Sequence, residues 1–270
     1  MPTALLIGAT GQVGQYVLKE LLQSPDWTTV GEYGRKVTEL QDFVSKHNLP
    51  STSVEKIKQE KVDFEALLNE QDDGGSESQK FKGQAWDVVF ITLGTSRKDA
   101  GSAEKFQKID QEYVVRAAKA ALDGSPAGQS PTLVYVSSVG ADKNSSLLYA
   151  RSKGETEERL SELGYKETIV FRPGALTGTA RPQTRPVEAV IGFILPAISF
   201  ISDSVGIKVA DLAQGMLYAA KRGPSNLPKE ARAYRSSSAR PYTIIANAGS
   251  LGLSRLFNAE QTTDPTPVQQ

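Results

Sequence analysis

Seven residues near the start of the chain constrain its fold more than any others. A short apolar run, Ala4-Leu5-Leu6-Ile7, leads directly into Gly8-Ala9-Thr10-Gly11-Gln12-Val13-Gly14. From Val13 the apolar residues Val17, Leu18, Leu21 and Leu22 recur at helical spacing until Ser24-Pro25 stops them. Strand, glycine turn and helix in that order open a parallel α/β sheet. In such a turn Gly8 permits the tight bend. Gly11 lets the N–H groups of Thr10, Gln12 and Val13 approach a diphosphate, and Gly14 allows close packing of helix on strand. The helix amino end adds partial positive charge at the same point. A glycine-rich turn with no ligand is the plain alternative; strand before and helix after favour dinucleotide binding.

The rest of the chain continues the alternation. Residues 28–33, 53–58, 88–93, 133–136, 168–171 and 242–246 read as strands, the third diluted by lysines. Helical patterns carry Phe106, Ile109, Tyr113, Val114, Ala117 and Ala118 on one stripe, and cover residues 147–163 and 209–221. Residues 71–82 are polar and read as a surface loop. The expected fold is a doubly wound, mostly parallel sheet with helices on both faces and a small C-terminal substrate lobe. Its division is 1–180 for the dinucleotide-binding body, 181–238 for the lobe, 239–258 for a returning strand and helix, and 259–270 for a loose tail. Within the lobe, residues 189–202 form the longest uncharged run, interrupted by Pro196. A spanning helix needs about 20 apolar residues, so this run is expected to pack inside the lobe, with a membrane-resting surface as the alternative.

Composition removes several classes of chemistry. Lys and Arg total 31 against 31 Asp and Glu, with pI near 6.7, so the basic footprint of a nucleic-acid binder is missing. There is no cysteine, which excludes a thiol nucleophile, a disulfide framework and Cys-ligated zinc. The single histidine, His47, lies in the polar Ser45-Lys46-His47-Asn48 and reads as a solvated loop residue, a poor basis for a Ser-His-Asp triad. No metal site is expected. No basic or amphipathic leader precedes residue 4.

Cofactor choice is read at the end of the second strand, where Glu32-Tyr33-Gly34-Arg35-Lys36 stands. An acid at the strand tip would take ribose hydroxyls, whereas a cation suits a 2′-phosphate. Glu32 precedes Tyr33 and falls within the strand, so Arg35 and Lys36 favour NADP(H) over NAD(H). Asp63 and Phe64, after the third strand, are placed to meet the adenine. Tyr149 and Lys153 stand four apart and share a helix face. An ammonium one turn away favours the phenolate form of a tyrosine and makes it a better proton donor, and both residues are also expected to border the cofactor, Lys153 by a hydrogen bond to the nicotinamide ribose. Ser138 ends the 133–136 strand, on the edge where open α/β sheets bind ligands, and would hold a carbonyl for Tyr149 to protonate. A surface tyrosine with a solvated lysine is the bland alternative.

Together these segments resemble the short-chain dehydrogenase/reductase superfamily. The resemblance is greatest to its atypical branch, that of the human Tat-interactive protein 2 and its fungal mitochondrial outer-membrane relatives. It is carried by the glycine turn, Gly34-Arg35, Val62-Asp63-Phe64-Glu65, Leu93-Gly94-Thr95-Ser96-Arg97 and Ala100-Gly101. It continues through Ser137-Ser138-Val139-Gly140-Ala141-Asp142-Lys143, Tyr149 with Lys153-Gly154-Glu155, Phe171-Arg172-Pro173-Gly174 and Arg185-Pro186. The resemblance implies an NADPH-binding Rossmann fold with Leu93, Gly94 and Thr95 on the nicotinamide side and Pro173 passing over it. It also implies a peripheral place on the cytosolic face of the mitochondrial outer membrane, where residues 191–201, with Phe193 and Phe200, would make the contact; a cytoplasmic protein is the alternative. One departure stands out: many members carry an Asn on the helix after the fourth strand, and Asp110 stands there. The expected activity is reduction of a small-molecule carbonyl. An NADPH-sensing interaction protein is the runner-up, and a nucleotide-sugar epimerase is weaker because the segment after Gly174 is short. A homodimer is left open.

Overall fold

The computed structural model describes residues 2–70, 74–178 and 206–263. Eight strands form one sheet: β1 (Thr3–Ile7), β2 (Thr29–Gly34), β3 (Ile57–Lys61), β4 (Val88–Ile91), β5 (Thr132–Val136), β6 (Glu167–Arg172), β9 (Tyr234–Arg235) and β10 (Thr243–Ala246). Their order is β3-β2-β1-β4-β5-β6-β10-β9, parallel except for β9, which pairs antiparallel with β10. β7 (Ala175–Thr177) and β8 (Gly206–Lys208) make a separate parallel pair. The strand order reverses between β1 and β4, and the carboxyl ends of the strands at such a reversal are where open α/β sheets take ligands.

Successive side chains of β1 alternate between two cores, which is why the run is apolar throughout. Ala4 and Leu6 join Val17, Leu18 and Leu21 of α1 (Gly14–Gln23), Leu212 and Met216 of α9 (Val209–Arg222) and Leu253 of α10 (Asn247–Thr263). Leu5 and Ile7 join Leu67 of α3 (Phe64–Asn69), Val114 and Ala117 of α7 (Tyr113–Asp123) and Leu160 of α8 (Leu148–Glu162). Helix α9, assigned above to the lobe, is thus packed in the same core as α1. The run 189–202, Arg185-Pro186 and the 191–201 surface lie outside the described residues.

Four local expectations are corrected. The third strand begins later than residue 53: residues Ser51–Lys56 form a 3-10 turn, with Ser53 N–H donating to Pro50 O, and β3 follows as the edge strand beside β2. Its lysines face outward, as edge strands tolerate. The 71–82 segment holds a helix, α4 (Ser76–Gln79), and buries Glu77, Ser78 and Phe81, the last edge-on to Tyr33. His47 closes α2 (Leu40–His47), with its ring 4.4 Å from that of Phe43. Burial first, then Lys46 and Lys19, lower its pKa. The tail does not start at 259, because α10 runs to Thr263.

Helix α8 is held by buried charge as well as apolar packing. Glu157 is wholly buried and accepts from Arg172 Nε at 3.0 Å, from Arg172 Nη2, and from Tyr242 Oη at 2.8 Å. Burial works against the Arg172 charge, but the Glu157 hydrogen bonds hold its pKa above the ordinary value. Removing one partner of such a pair strands the other. Glu157→Ala is expected to lower stability to urea by about 3 kcal/mol, with most of it recovered in Glu157→Ala/Arg172→Met. A loss below about 1 kcal/mol would show the pair to be incidental.

Candidate active site

The glycine turn is closed by contact rather than by chance flexibility. Gly8 sits at φ +100°, where side chains are strained, and a Cβ there would meet Leu93 N at 2.6 Å. A Cβ on Gly14 would meet Gly8 O at 2.1 Å, Thr92 Oγ1 at 2.7 Å and Ala9 Cα at 2.8 Å. Thr92, which no sequence motif marks, donates its hydroxyl to Gly8 O at 3.0 Å and props the turn from the end of β4. Helix α1 has no side-chain cap at its amino end. Among the described residues no backbone carbonyl accepts from the N–H groups of Thr10, Gln12 or Val13. These donors and the helix dipole suit an anion.

At the tip of β2, Arg35 and Lys36 are exposed. Glu32 is buried inside the strand and accepts three hydrogen bonds. Its Oε1 accepts from Thr38 N at 2.8 Å and Thr38 Oγ1 at 2.7 Å, and its Oε2 from Gln59 Nε2 at 2.7 Å. Asp63 caps α3 by accepting from Glu65 N and Ala66 N, and Phe64 is buried, with its ring stacked 5.9 Å from that of Tyr113.

Past β4, Leu93 and Thr95 are half-buried and Gly94 is exposed. Pro173 is buried after β6, and its carbonyl accepts from Val139 N at 2.9 Å. Asn247, not anticipated from sequence, accepts from Gly174 N at 2.9 Å and so anchors the turn after Pro173. Ser138 follows β5, half-buried, just before the left-handed Gly140. Tyr149 is 44% exposed, with its ring 5.8 Å from that of Phe106.

Lys153 is 5% exposed, and its Nζ does not turn to Tyr149 for a hydrogen bond. Instead it lies 3.2 and 3.1 Å from the two Asp110 oxygens and donates to Tyr135 Oη at 3.1 Å. Burial alone would depress its pKa. Asp110 foremost, then Tyr135 and Tyr149, outweigh that and hold it well above the ordinary lysine value. Tyr135 is wholly buried, and burial raises its pKa above the usual range. Its role was not legible from sequence, where it is one more apolar-facing residue of a strand.

Comparison with known proteins places the chain in a family. A family model described as NAD(P)H-binding matches residues 8–222. The chain is 31% identical over 209 residues to the mitochondrial protein fmp52 of Emericella nidulans, covering 76% of this chain and 79% of that one. It is 35% identical over 186 residues to protein HTATIP2 of Rattus norvegicus, covering 69% and 67%. Its fold matches a short-chain type dehydrogenase/reductase from Mycobacterium ulcerans with a TM-score of 0.63 at 16% identity, over 93% of this chain and 90% of that one. BdcA, solved in complex with NADPH, matches with a TM-score of 0.53 at 16% identity, over 83% and 88%. The chain therefore belongs to the NAD(P)H-binding family, alongside its HTATIP2 and fmp52 relatives.

Proposed function

We propose that the protein is an NADPH-dependent oxidoreductase that reduces a carbonyl compound. The observation that carries the cofactor half is the side-chain-free turn at Gly8, Gly11 and Gly14, with unengaged N–H groups at the mouth of α1. Those amides would take the diphosphate, and Arg35 and Lys36 the 2′-phosphate. Glu32, wholly buried and accepting three hydrogen bonds from Thr38 and Gln59, is not presented to ribose hydroxyls, which supports NADPH over NADH. Asp63 and Phe64 would border the adenine, and Leu93, Gly94, Thr95 and Pro173 the nicotinamide. When bound, the cofactor supplies a hydride.

The chain's own residues do the rest. Ser138 orients the carbonyl oxygen with its hydroxyl. Tyr149 donates the proton to that oxygen, and its exposure lets solvent return the proton afterwards. Lys153 would hydrogen-bond the nicotinamide ribose and contributes positive charge one helical turn from Tyr149. The engagement of Lys153 by Asp110 favours one second reading, an NADPH-occupied interaction protein with slow turnover.

Two measurements bear on the assignment. Arg35→Ser should weaken NADPH binding about tenfold while leaving NADH binding unchanged; a wild-type protein that prefers NADH would contradict the cofactor assignment. Tyr149→Phe should lower turnover of a carbonyl panel at least about a hundredfold, with NADPH affinity within about twofold of wild type. Equal turnover in that variant would remove Tyr149 from the chemistry.

We further propose a peripheral place on the cytosolic face of the mitochondrial outer membrane. The fungal relatives are named mitochondrial, and among the described residues no helix is long and apolar enough to cross a membrane. Carbonate washing should release the protein from isolated mitochondria, and external protease should digest it. A carbonate-resistant or protease-protected protein would overturn this placement.

A further inference from the structure

Asp110 departs from the asparagine common in the superfamily, and nothing in the proposed chemistry uses it. It is wholly buried, as is Tyr135, and Lys153 is nearly so. A π-turn at Lys108–Glu112 joins α6 (Ala103–Gln107) to α7 and carries Asp110. Such insertions into a helix recur at functional sites. The carboxylate is fixed from a second side as well: Oδ1 accepts from Thr95 N at 3.1 Å, and a Cβ on Gly94 would stand 2.8 Å from it. The loop beside the crevice is therefore shaped around this acid.

We infer that Asp110 is a positioning residue whose carboxylate, together with the Tyr135 hydroxyl, pins Lys153 beneath the crevice as a fixed ammonium. An ammonium has three donors and no acceptor. Asp110 and Tyr135 engage two, which leaves one to serve the crevice. Lys153 then acts as a constant local charge with a single outward hydrogen bond, and Tyr149 exchanges its proton directly with water at the mouth. The charged or titratable groups around Lys153 are Asp110 from the π-turn, Tyr135 from β5 and Tyr149 from its own helix. Glu157, one turn further along α8, is already occupied by Arg172 and Tyr242.

The inference rests on the reading of this crevice as an NADPH site, and the experiment separates the two. NADPH binding is measured at pH 7 and pH 9.5 for wild type, Asp110→Asn and Asp110→Asn/Lys153→Met. With the carboxylate present, Lys153 keeps its proton throughout, so wild-type affinity should change less than about twofold. Without it, the largest influence opposing burial is gone, only Tyr135 and Tyr149 remain against it, and the lysine loses its proton more readily as pH rises. Asp110→Asn should therefore bind NADPH about tenfold more weakly at pH 9.5 than at pH 7. The double variant, with no amine to titrate, should show no such pH dependence. A pH-independent Asp110→Asn would overturn the inference. A wild type that binds no NADPH would instead overturn the proposed function.

A second measurement, on the wild-type chain, covers both that case and an Asp110→Asn chain that does not fold. In protein labelled with [13Cε]lysine, the resonance missing from Lys153→Arg should still hold its ammonium position at the pH where surface lysines titrate, near their ordinary value of about 10.4. A Lys153 resonance that moves with the others, or before them, would overturn the inference.

Discussion

The close approach of α1 to β1 and β4 governs the rest of the molecule. Gly14 has backbone of Gly8 and Ala9 and the Thr92 hydroxyl where its side chain would be, so the helix sits as near the sheet as a polypeptide allows. That proximity aims the uncapped amino end of α1 at the crevice beyond β1 and β4, where the strand order turns back. A larger residue at position 14 would move the helix dipole away from the crevice as well as strain the packing. The cradle and the core are thus one construction.

Helix α8 organises the opposite wall by a different principle. Its inward face carries Ser152, Lys153, Thr156 and Glu157 where a core helix would ordinarily present apolar residues. Each buried charge is answered from a neighbouring element: Lys153 by Asp110 of the π-turn, Glu157 by Arg172 of β6. Pairs of this kind add little net stability but fix orientation, because a shifted helix would leave charges unpaired. Tyr149, on the same helix, is carried to the open mouth in consequence.

Most of the architecture was legible because buried parallel strands announce themselves as unbroken apolar runs. The segments 4–7, 88–91 and 133–136 are such runs, and all are strands. The exceptions have physical causes. β3 is an edge strand whose lysines face outward, so its pattern was weak and its start was misplaced. The 71–82 stretch hides a single buried aromatic, Phe81, that no periodicity could reveal. His47 lies among polar residues, yet folds back on Phe43. At the candidate site, Arg35 and Ser138 are read from their positions at strand ends, and Tyr149 from its four-residue spacing to Lys153. Tyr135 is not, because a tyrosine in a strand reads as packing until its hydroxyl is seen to meet Lys153. Asp110 stands out in the sequence only as an unusual residue, since its partner lies 43 positions away.

The central claim is that the amino end of α1 is the seat of a dinucleotide. Amide hydrogen exchange, followed by mass spectrometry with and without saturating NADPH, tests it most directly. Slower exchange in peptides spanning residues 8–16, with a second protected patch at 34–37, is the predicted outcome. Protection confined to other parts of the sheet, or none at NADPH concentrations that saturate related reductases, would contradict the account.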